Sequence, residues 1–69
     1  MKRKPVTSSG ISSVGYDESS KILEIEFIDG DVYQYFDVPR RDYDGLMGAN
    51  SIGRYVNQDI KPNYRFSKV

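Results

Sequence analysis

The sequence predicts an α+β domain in which a three-stranded antiparallel β-meander is followed by two short helices packed on one face of the sheet. Two observations carry this prediction. Two alternating runs flank an Asp-Gly-Asp turn at residues 29–31, and apolar residues recur at helical spacing after Pro39. No internal repeat or low-complexity segment interrupts the chain, so residues 1–69 are expected to form a single domain.

Residues 1–7 are polar and basic, and we expect them to be disordered because they bury too little apolar surface to offset the entropy lost on ordering. The first strand follows, with Val14 and Tyr16 on one face. Gly15 stands between them, where a missing side chain indicates a bulge or a close approach of another backbone segment. Asp17 opens the next turn, and its carboxylate is expected to accept a hydrogen bond from a backbone N–H two residues further on.

The second strand places Leu23 and Ile25 on one face, and the turn decides which residues of the third strand join them. A two-residue loop would align them with the even-numbered side of the third strand. A three-residue loop, closed by Gly30 in the left-handed region, instead brings Ile25 opposite Tyr33 and Leu23 opposite Tyr35. A slip of one residue exchanges the two faces. We favour the three-residue loop because it leaves the polar side chains of both strands on the solvated face.

That solvated face is expected to carry Glu24 and Glu26 together with Gln34. The two carboxylates lie two residues apart on one strand face, but a divalent cation needs several converging oxygen ligands, and the chain has no metal-loop spacing. Val32 and Phe36 point to the same side. If Phe36 is exposed among apolar neighbours, this face favours the docking of a protein.

The helical half begins at Val38-Pro39, because proline at the first helical position has its φ already set and lacks only an N–H that would be unpaired there. An apolar stripe that can lie on the sheet follows at helical spacing: Tyr43, Leu46 and Met47. Ser51 is expected to cap a second helix. The apolar residues of that helix are Ile52, Tyr55, Val56 and Ile60. The tail alternates at residues 64–66 and is expected to dock as a short edge strand.

Composition excludes several function classes. The chain has no Cys and no His, so it lacks a disulfide framework, the usual general base and the commonest metal ligand. We therefore predict a protein that is not an enzyme, with no catalytic residues, no metal and no cofactor. No apolar run approaches the roughly 20 residues of a membrane helix, and no signal-peptide core is present. The sequence predicts a soluble cytoplasmic protein with no membrane association.

A tyrosine pair carries a family resemblance. Tyr33-Gln34-Tyr35, after the strand ILEIEF, resembles the Tyr-x-Tyr centre of the KTSC domain family. The resemblance covers residues 6–66, and Val14 stands where an isoleucine is usual. Further matching positions are Ser8-Ser9, Ile11, Gly15-Tyr16-Asp17, Val38-Pro39, Tyr43, Ala49, Ser51, Gly53, Tyr55, Asn57, Ile60-Lys61 and Tyr64.

The resemblance implies a small bacterial domain. The family is named for the carboxy-terminal extension of some lysyl-tRNA synthetases, and it also occurs as stand-alone small proteins. It implies no established activity. RNA binding is an expectation that comes from the association with the synthetase.

The tyrosines of this motif have two interpretations. Exposed on the sheet, Tyr33 and Tyr35 would stack unpaired bases, at about 1–3 kcal/mol for each base. Packed on Leu23 and Ile25, they would belong to the core, with their hydroxyls reaching a polar rim. We favour the core, because a chain with six Tyr, three Phe and no Trp needs its tyrosines for burial.

Arg40 and Arg41 fall in the first turn of the first helix, where basic residues oppose the helix dipole. Phosphate contact beside the helix N-terminus is one reason for them. Pairing with a nearby acid is the alternative, and it is the one we favour. The acids within reach are Asp37, Asp42 and Asp44.

The strongest polar constellation lies in the second helix. Arg54, Asn57 and Lys61 fall at i, i+3 and i+7, which predicts one outward stripe, and Arg65 extends it into the tail. Such a stripe can bind an RNA backbone, and any solvated helix face has the same pattern.

These observations lead to one function and one alternative. The first is a monomeric, non-enzymatic module that binds RNA weakly through its basic second helix and tail by neutralising phosphates. With about four phosphate contacts, the log–log salt slope on a single strand is expected to be about −3. The alternative is a protein-interaction module that uses the exposed sheet face or an uncovered edge strand.

Overall fold

The computed structural model describes residues 1–69 and shows one antiparallel sheet of five strands, in the order β1-β2-β3-β4-β5, with a helical segment between β4 and β5. The α+β class is confirmed, but the sheet has five strands and not three. The elements are β1 (Arg3–Pro5), β2 (Ile11–Asp17), β3 (Ile22–Phe27), β4 (Val32–Tyr35), α1 (Arg40–Met47), α2 (Ile52–Tyr55), a π-helical segment (Val56–Ile60) and β5 (Phe66–Lys68).

The central hairpin has the register of the three-residue loop. Ile25 lies opposite Tyr33 and Leu23 lies opposite Tyr35. The Phe27 N–H donates to the Asp31 carbonyl at 2.8 Å. Gly30 closes the turn with φ at 98°, a conformation that glycine adopts without steric cost. The turn chemistry therefore fixes which face of the hairpin enters the core.

One apolar core joins the sheet to the helical segment. The sheet supplies Ile11, Val14, Leu23, Ile25 and Tyr35. The segment after β4 supplies Val38, Leu46, Val56 and Ile60. Tyr43 and Met47 pack against this core beside Leu46, as the predicted stripe of the first helix requires. Full burial of each aliphatic side chain contributes about 1.5–3 kcal/mol, and these residues are the main source of stability.

The amino-terminal segment is ordered, against our expectation. Strand β1 pairs antiparallel with β2, and Arg3 lies opposite Gly15. A Cβ atom on Gly15 would lie 2.8 Å from the Lys2 carbonyl oxygen. The glycine therefore lets the backbone at Lys2 approach β2 closely. This confirms the close approach that was predicted from a glycine within the first strand.

The sheet face opposite the core is not simply solvated, because Arg3 crosses it. Glu24 is only 6% exposed, forms an ion pair with Arg3 and accepts a hydrogen bond from Gln34 Nε2 at 2.8 Å. Arg3 Nε donates to Ser13 Oγ at 3.0 Å, and Ser13 Oγ donates to Glu26 at 2.8 Å. The network leaves no buried side-chain polar atom without a partner. Glu24, Glu26 and Gln34 were predicted to lie on a solvated face. Glu26 and Gln34 are half-buried, whereas Glu24 is buried, so the prediction was wrong for Glu24.

The second helix is shorter than predicted. Ser51 Oγ accepts from the Arg54 N–H at 3.3 Å, which confirms the cap. After Tyr55 the chain continues as the π-helical segment, where the Lys61 N–H donates to the Val56 carbonyl, five residues back, at 2.8 Å. A π-helical turn holds more residues than an α-helical turn. Arg54 and Lys61 are seven residues apart, and across the π-helical segment this spacing does not align them on one helix face, so the predicted outward stripe was wrong.

The tail forms β5 at Phe66–Lys68, which pairs with β4. An edge strand was predicted in the tail, but two residues earlier, at residues 64–66. Both edge strands of the sheet, β1 and β5, are three residues long. None of the helices is both long enough and apolar enough for a transmembrane span.

Candidate nucleic-acid interface

Arg40 is neutralised within the fold. Its Nη1 lies 2.8 Å from Glu18 Oε1, and its Nε lies 3.1 Å from Asp44 Oδ1. The hydrogen bond to Asp44, and then the charges of Asp44 and Glu18, raise the pKa of Arg40. The guanidinium also lies 5.7 Å from the centroid of the Tyr43 ring. This geometry corresponds to the pairing alternative given for the first turn of α1.

Arg65 has an internal partner as well. Its Nη2 donates to Asp37 Oδ2 at 3.1 Å, and its guanidinium lies 5.9 Å from the Phe36 ring centroid. Phe36 is half-buried, so it is not the exposed apolar residue that a protein-docking sheet face requires. The polar network around Arg3 covers that face instead.

Three cations of the helical half form no ion pair: Arg41 in α1, Arg54 in α2 and Lys61 just after the π-helical segment. All three side chains are exposed. Asn57 is exposed in the π-helical segment between the last two. Arg54, Asn57 and Lys61 are the part of the predicted polar constellation that the fold leaves available, and Arg41 is a further unpaired cation in α1.

Asp42 of α1 accepts hydrogen bonds from one tyrosine of α2 and one tyrosine of the tail. Its Oδ1 accepts from the Tyr55 hydroxyl at 3.2 Å, and its Oδ2 accepts from the Tyr64 hydroxyl. Burial, with the hydrogen bond to Asp42 and its charge, raises the pKa of Tyr64 to about 12, and the nearby charge of Arg41 opposes the rise. Arg41 is therefore close enough to this junction for its charge to oppose the rise in the pKa of both Tyr55 and Tyr64.

The Asp42 junction was missed at the sequence level. Tyr55 reaches α1 because Gly45 has no side chain, since a Cβ there would lie 2.6 Å from the Tyr55 hydroxyl oxygen. The glycine inside a helical pattern was the available signal, because an isolated glycine costs helix stability unless packing requires it.

The motif tyrosines lie on the core side of the sheet. Tyr35 is buried, and burial raises the pKa of its hydroxyl. Tyr33 is half-buried and meets Phe27 edge-to-face, with ring centroids 5.7 Å apart. Phe66 of β5 packs against both tyrosines. The motif thus supports the sheet, and Phe66 is the aromatic residue of this cluster that remains exposed.

A groove of about 460 Å³ opens beside this cluster, at the turn end of the hairpin. Lys61 lies at its wall with Nζ 5.2 Å from the Phe27 centroid, a cation–π contact. Helical spacing predicted Lys61 on an outward helix face, and no sequence pattern associates this lysine with the hairpin. No cluster of three or more acidic side chains is arranged as metal ligands would be.

Comparison with known proteins decides the family. The profile of the KTSC domain matches residues 7–64. The chain belongs to the KTSC family. In the crystal structure of a KTSC domain protein from Yersinia pestis, the chain is 42% identical, the TM-score is 0.93, and the match covers 99% of this chain and 96% of that one. The structural match therefore extends over the whole sheet of this chain, including both edge strands.

Two kinds of relative share the KTSC domain. A protein of Tsukamurella paurometabola is 44% identical over 62 residues, 90% of this chain and 92% of that protein. A protein of Stutzerimonas stutzeri is 43% identical over 70 residues, 100% of this chain and 99% of that protein. The lysine–tRNA ligase of Nostoc punctiforme is 36% identical over 61 residues, which are 88% of this chain and only 11% of the ligase. The domain thus occurs both as nearly a whole protein and as a small part of a tRNA ligase.

Proposed function

We propose that this KTSC domain is a non-catalytic RNA-binding module. The observation that supports the proposal is its occurrence within lysine–tRNA ligases, whose substrate is an RNA. A domain that makes up 11% of such an enzyme can add contacts to the RNA without taking part in the chemistry. The proposal includes action as a monomer in the cytoplasm, where RNA is available to it.

The geometry supports a small electrostatic interface. Arg41, Arg54 and Lys61 are exposed and free of carboxylates, so their positive charge is available to phosphates. Asn57 lies between the last two and can donate to a phosphate oxygen or a ribose hydroxyl. Each phosphate neutralised releases counterions, which is the driving force of such binding. With no further base contacts, this interface gives little sequence readout.

The protein-interaction alternative has less support. The sheet face that it requires is crossed by Arg3, and Phe36 is shielded by Arg65. The edge strands are short, and they carry Lys4, Pro5 and Lys68. Short edges that bear lysine and proline resist the addition of another strand.

The test is a titration of isotope-labelled protein with a tRNA and with a single-stranded uridylate decamer, each at two salt concentrations, followed by amide NMR. We expect shifts in α1, α2, the π-helical segment and the tail, and we expect these shifts to be smaller at the higher salt. The Arg54→Ala, Lys61→Ala double variant should bind both RNAs more weakly than the wild type. Shifts that are absent, or that do not respond to salt, contradict the proposal.

A matched control is available in Lys21. This exposed lysine lies in the turn between β2 and β3 and forms no ion pair. Lys21→Ala removes one positive charge, as Arg54→Ala and Lys61→Ala each do when made singly, and it is compared with those single variants. It should leave the affinity nearly unchanged if binding is local, and it should weaken binding equally if only total charge matters.

A further inference from the structure

The groove beside the hairpin turn is lined by large apolar side chains that are exposed to solvent. Of the four large apolar side chains that are exposed, two line it, Ile28 at 66% and Phe66 at 58% exposure. Its volume of about 460 Å³ lies within the range of roughly 300–1,000 Å³ in which proteins bind small ligands. A single nucleotide is a ligand of this size class.

Phe66 is an exposed ring that is nevertheless held in place. Its centroid lies 5.8 Å from that of Tyr33 and 6.0 Å from that of Tyr35, at interplanar angles of 52° and 43°. The two tyrosines fix the position of the ring and leave more than half of the residue open to the groove. A fixed and accessible aromatic face is what base stacking requires, and it tolerates any base because every base has a π-face.

The charges around the groove complement a nucleotide. Lys61 brings an ammonium group to the wall that carries Phe27. The carboxylate of Asp31 is neutralised by Lys68, whose Nζ lies 3.4 Å away. Asp29 accepts the Asp31 N–H through Oδ1, and its second oxygen remains an acceptor suited to an N–H donor on the edge of a base, such as the ring N–H of uracil. One side of the groove therefore attracts a phosphate, and the other can accept a hydrogen bond from a base.

We propose that this groove takes one unpaired nucleotide of a single-stranded RNA, with its base stacked on Phe66 and its phosphate at Lys61. This inference rests on the proposed function and extends it. The cations of the helical half neutralise phosphates of any RNA, whereas the groove adds a contact that a base inside a duplex cannot make. The module then binds unpaired segments, such as loops and ends, more tightly than its charge alone permits.

The test compares variants on two probes, the uridylate decamer and a ten-base-pair RNA duplex. Phe66→Ala should weaken binding of the decamer by about 5- to 150-fold, the fold-change that corresponds to the loss of one stacked base, and leave binding of the duplex unchanged. Phe66→Leu should weaken decamer binding similarly, because leucine keeps the apolar character and loses the ring. Val69→Ala removes an equally exposed side chain outside the groove, and it should have no effect on either probe.

Two further readouts separate stacking from charge. The chain has no Trp, so Phe66→Trp introduces a single indole, whose fluorescence a stacked base should quench with the decamer and not with the duplex. Lys61→Ala should lower the magnitude of the salt slope on the decamer by about 0.7, whereas Phe66→Ala should leave the slope unchanged.

The outcomes distinguish the two proposals. If wild-type protein binds neither RNA, the proposed function fails, and the nucleotide groove fails with it. If wild-type protein binds both RNAs and Phe66→Ala binds the decamer as the wild type does, only the groove proposal is overturned. If Phe66→Leu retains full affinity where Phe66→Ala loses it, the groove accepts an apolar group and not a base, which also overturns it.

Discussion

At the scale of single residues, the missing side chain of Gly15 organises one side of the sheet. The glycine lies in β2 opposite Arg3, and the Arg3 side chain passes over it to reach Glu24 in β3. A Cβ at this position would lie 3.0 Å from Arg3 Cγ and 2.8 Å from the Lys2 carbonyl oxygen. The pairing of β1 and the burial of Glu24 therefore both depend on a residue that contributes no side chain.

We predict that Gly15→Ala lowers the free energy of unfolding by about 1–3 kcal/mol, the usual cost of inserting a methyl group into a packed site. Part of the contact is with the backbone carbonyl of Lys2, just before β1, which cannot rotate away as a side chain can. Urea unfolding followed by circular dichroism measures the change. Gly10→Ala is the control, because a Cβ there meets nothing within 4 Å and its effect should be small. Equal effects of the two substitutions would contradict the account.

A second residue-scale prediction concerns Tyr64, whose pKa is raised to about 12 by burial and by the hydrogen bond and charge of Asp42. In the unfolded chain a tyrosine titrates near pH 10. The stabilising contribution of Tyr64 is thus fully present below about pH 10 and is lost as pH rises toward 12. Tyr64→Phe should therefore reduce the pH dependence of the unfolding free energy over this interval by as much as about 1.4 kcal/mol per pH unit.

Burial also raises the pKa of Tyr16, Tyr35 and Tyr55, so these tyrosines add to the pH dependence of the unfolding free energy. The contribution of Tyr64 is the difference between the wild type and Tyr64→Phe. Unfolding curves at pH 9, 10 and 11 provide the measurement. Identical alkaline profiles for the wild type and Tyr64→Phe would show that Tyr64 ionises freely in the folded state.

At the scale of secondary-structure elements, β1 is attached to the sheet by an ion pair as well as by backbone hydrogen bonds. Burial raises the pKa of Glu24, but the hydrogen bonds from Gln34 and Arg3 and the charge of Arg3 outweigh it, so the net pKa is lowered. The stability from this carboxylate is present above its unfolded pKa of about 4.5 and is lost as pH falls through the folded value. Without Arg3, burial would favour the protonated acid.

We predict that Arg3→Met lowers the free energy of unfolding at pH 7 by about 1–3 kcal/mol, because a buried carboxylate loses its charged partner. The loss should shrink as pH falls toward 4, since protonation of Glu24 removes the unpaired charge. Urea unfolding at pH 7 and pH 4 tests this. Lys4→Met, at an exposed neighbour without an ion pair, should show neither effect. A loss that is the same at both pH values would contradict the role given to Glu24.

The elements that could be predicted from the sequence are those specified by residues within or next to the element itself. The hairpin register follows from the position of Gly30 and the alternation of β3, and the Ser51 cap follows from one residue beside a helical pattern. The π-helical segment was predicted as part of an α-helix, because its apolar residues have helical spacing. Strand β1 was missed because its partners are distant in sequence. Arg3, for example, is held by a glutamate 21 residues away.

The same limit applies to the candidate interface. The basic residues of the helical half could be found from the sequence, and so could the local pairing of Arg40 with Asp44, but the long-range pairings could not. Arg40 meets Glu18 across 22 residues, and Arg65 meets Asp37 across 28. Phe66 was seen only as part of an alternating tail, since nothing local shows that it borders a groove with Lys61.

At the scale of the whole molecule, zero net charge does not mean that charge is evenly neutralised. Five ion pairs engage Arg3, Arg40, Arg65 and Lys68. The remaining cations of the helical half are Arg41, Arg54 and Lys61. About four phosphate contacts were expected from the sequence, and the internal ion pairs of Arg40 and Arg65 leave three free cations to make such contacts. RNA affinity is therefore expected to be modest and to decline strongly with salt.

The dependence of affinity on salt tests this account most directly. Fluorescence anisotropy of a labelled single-stranded uridylate decamer, titrated at several salt concentrations, gives the slope of log K against log salt. Three phosphate contacts predict a slope of about −2 for the wild type. In the Arg54→Ala, Lys61→Ala double variant the slope should fall to about −0.7. A wild-type slope near zero, or one that the double variant leaves unchanged, would contradict the claim that these cations bind RNA.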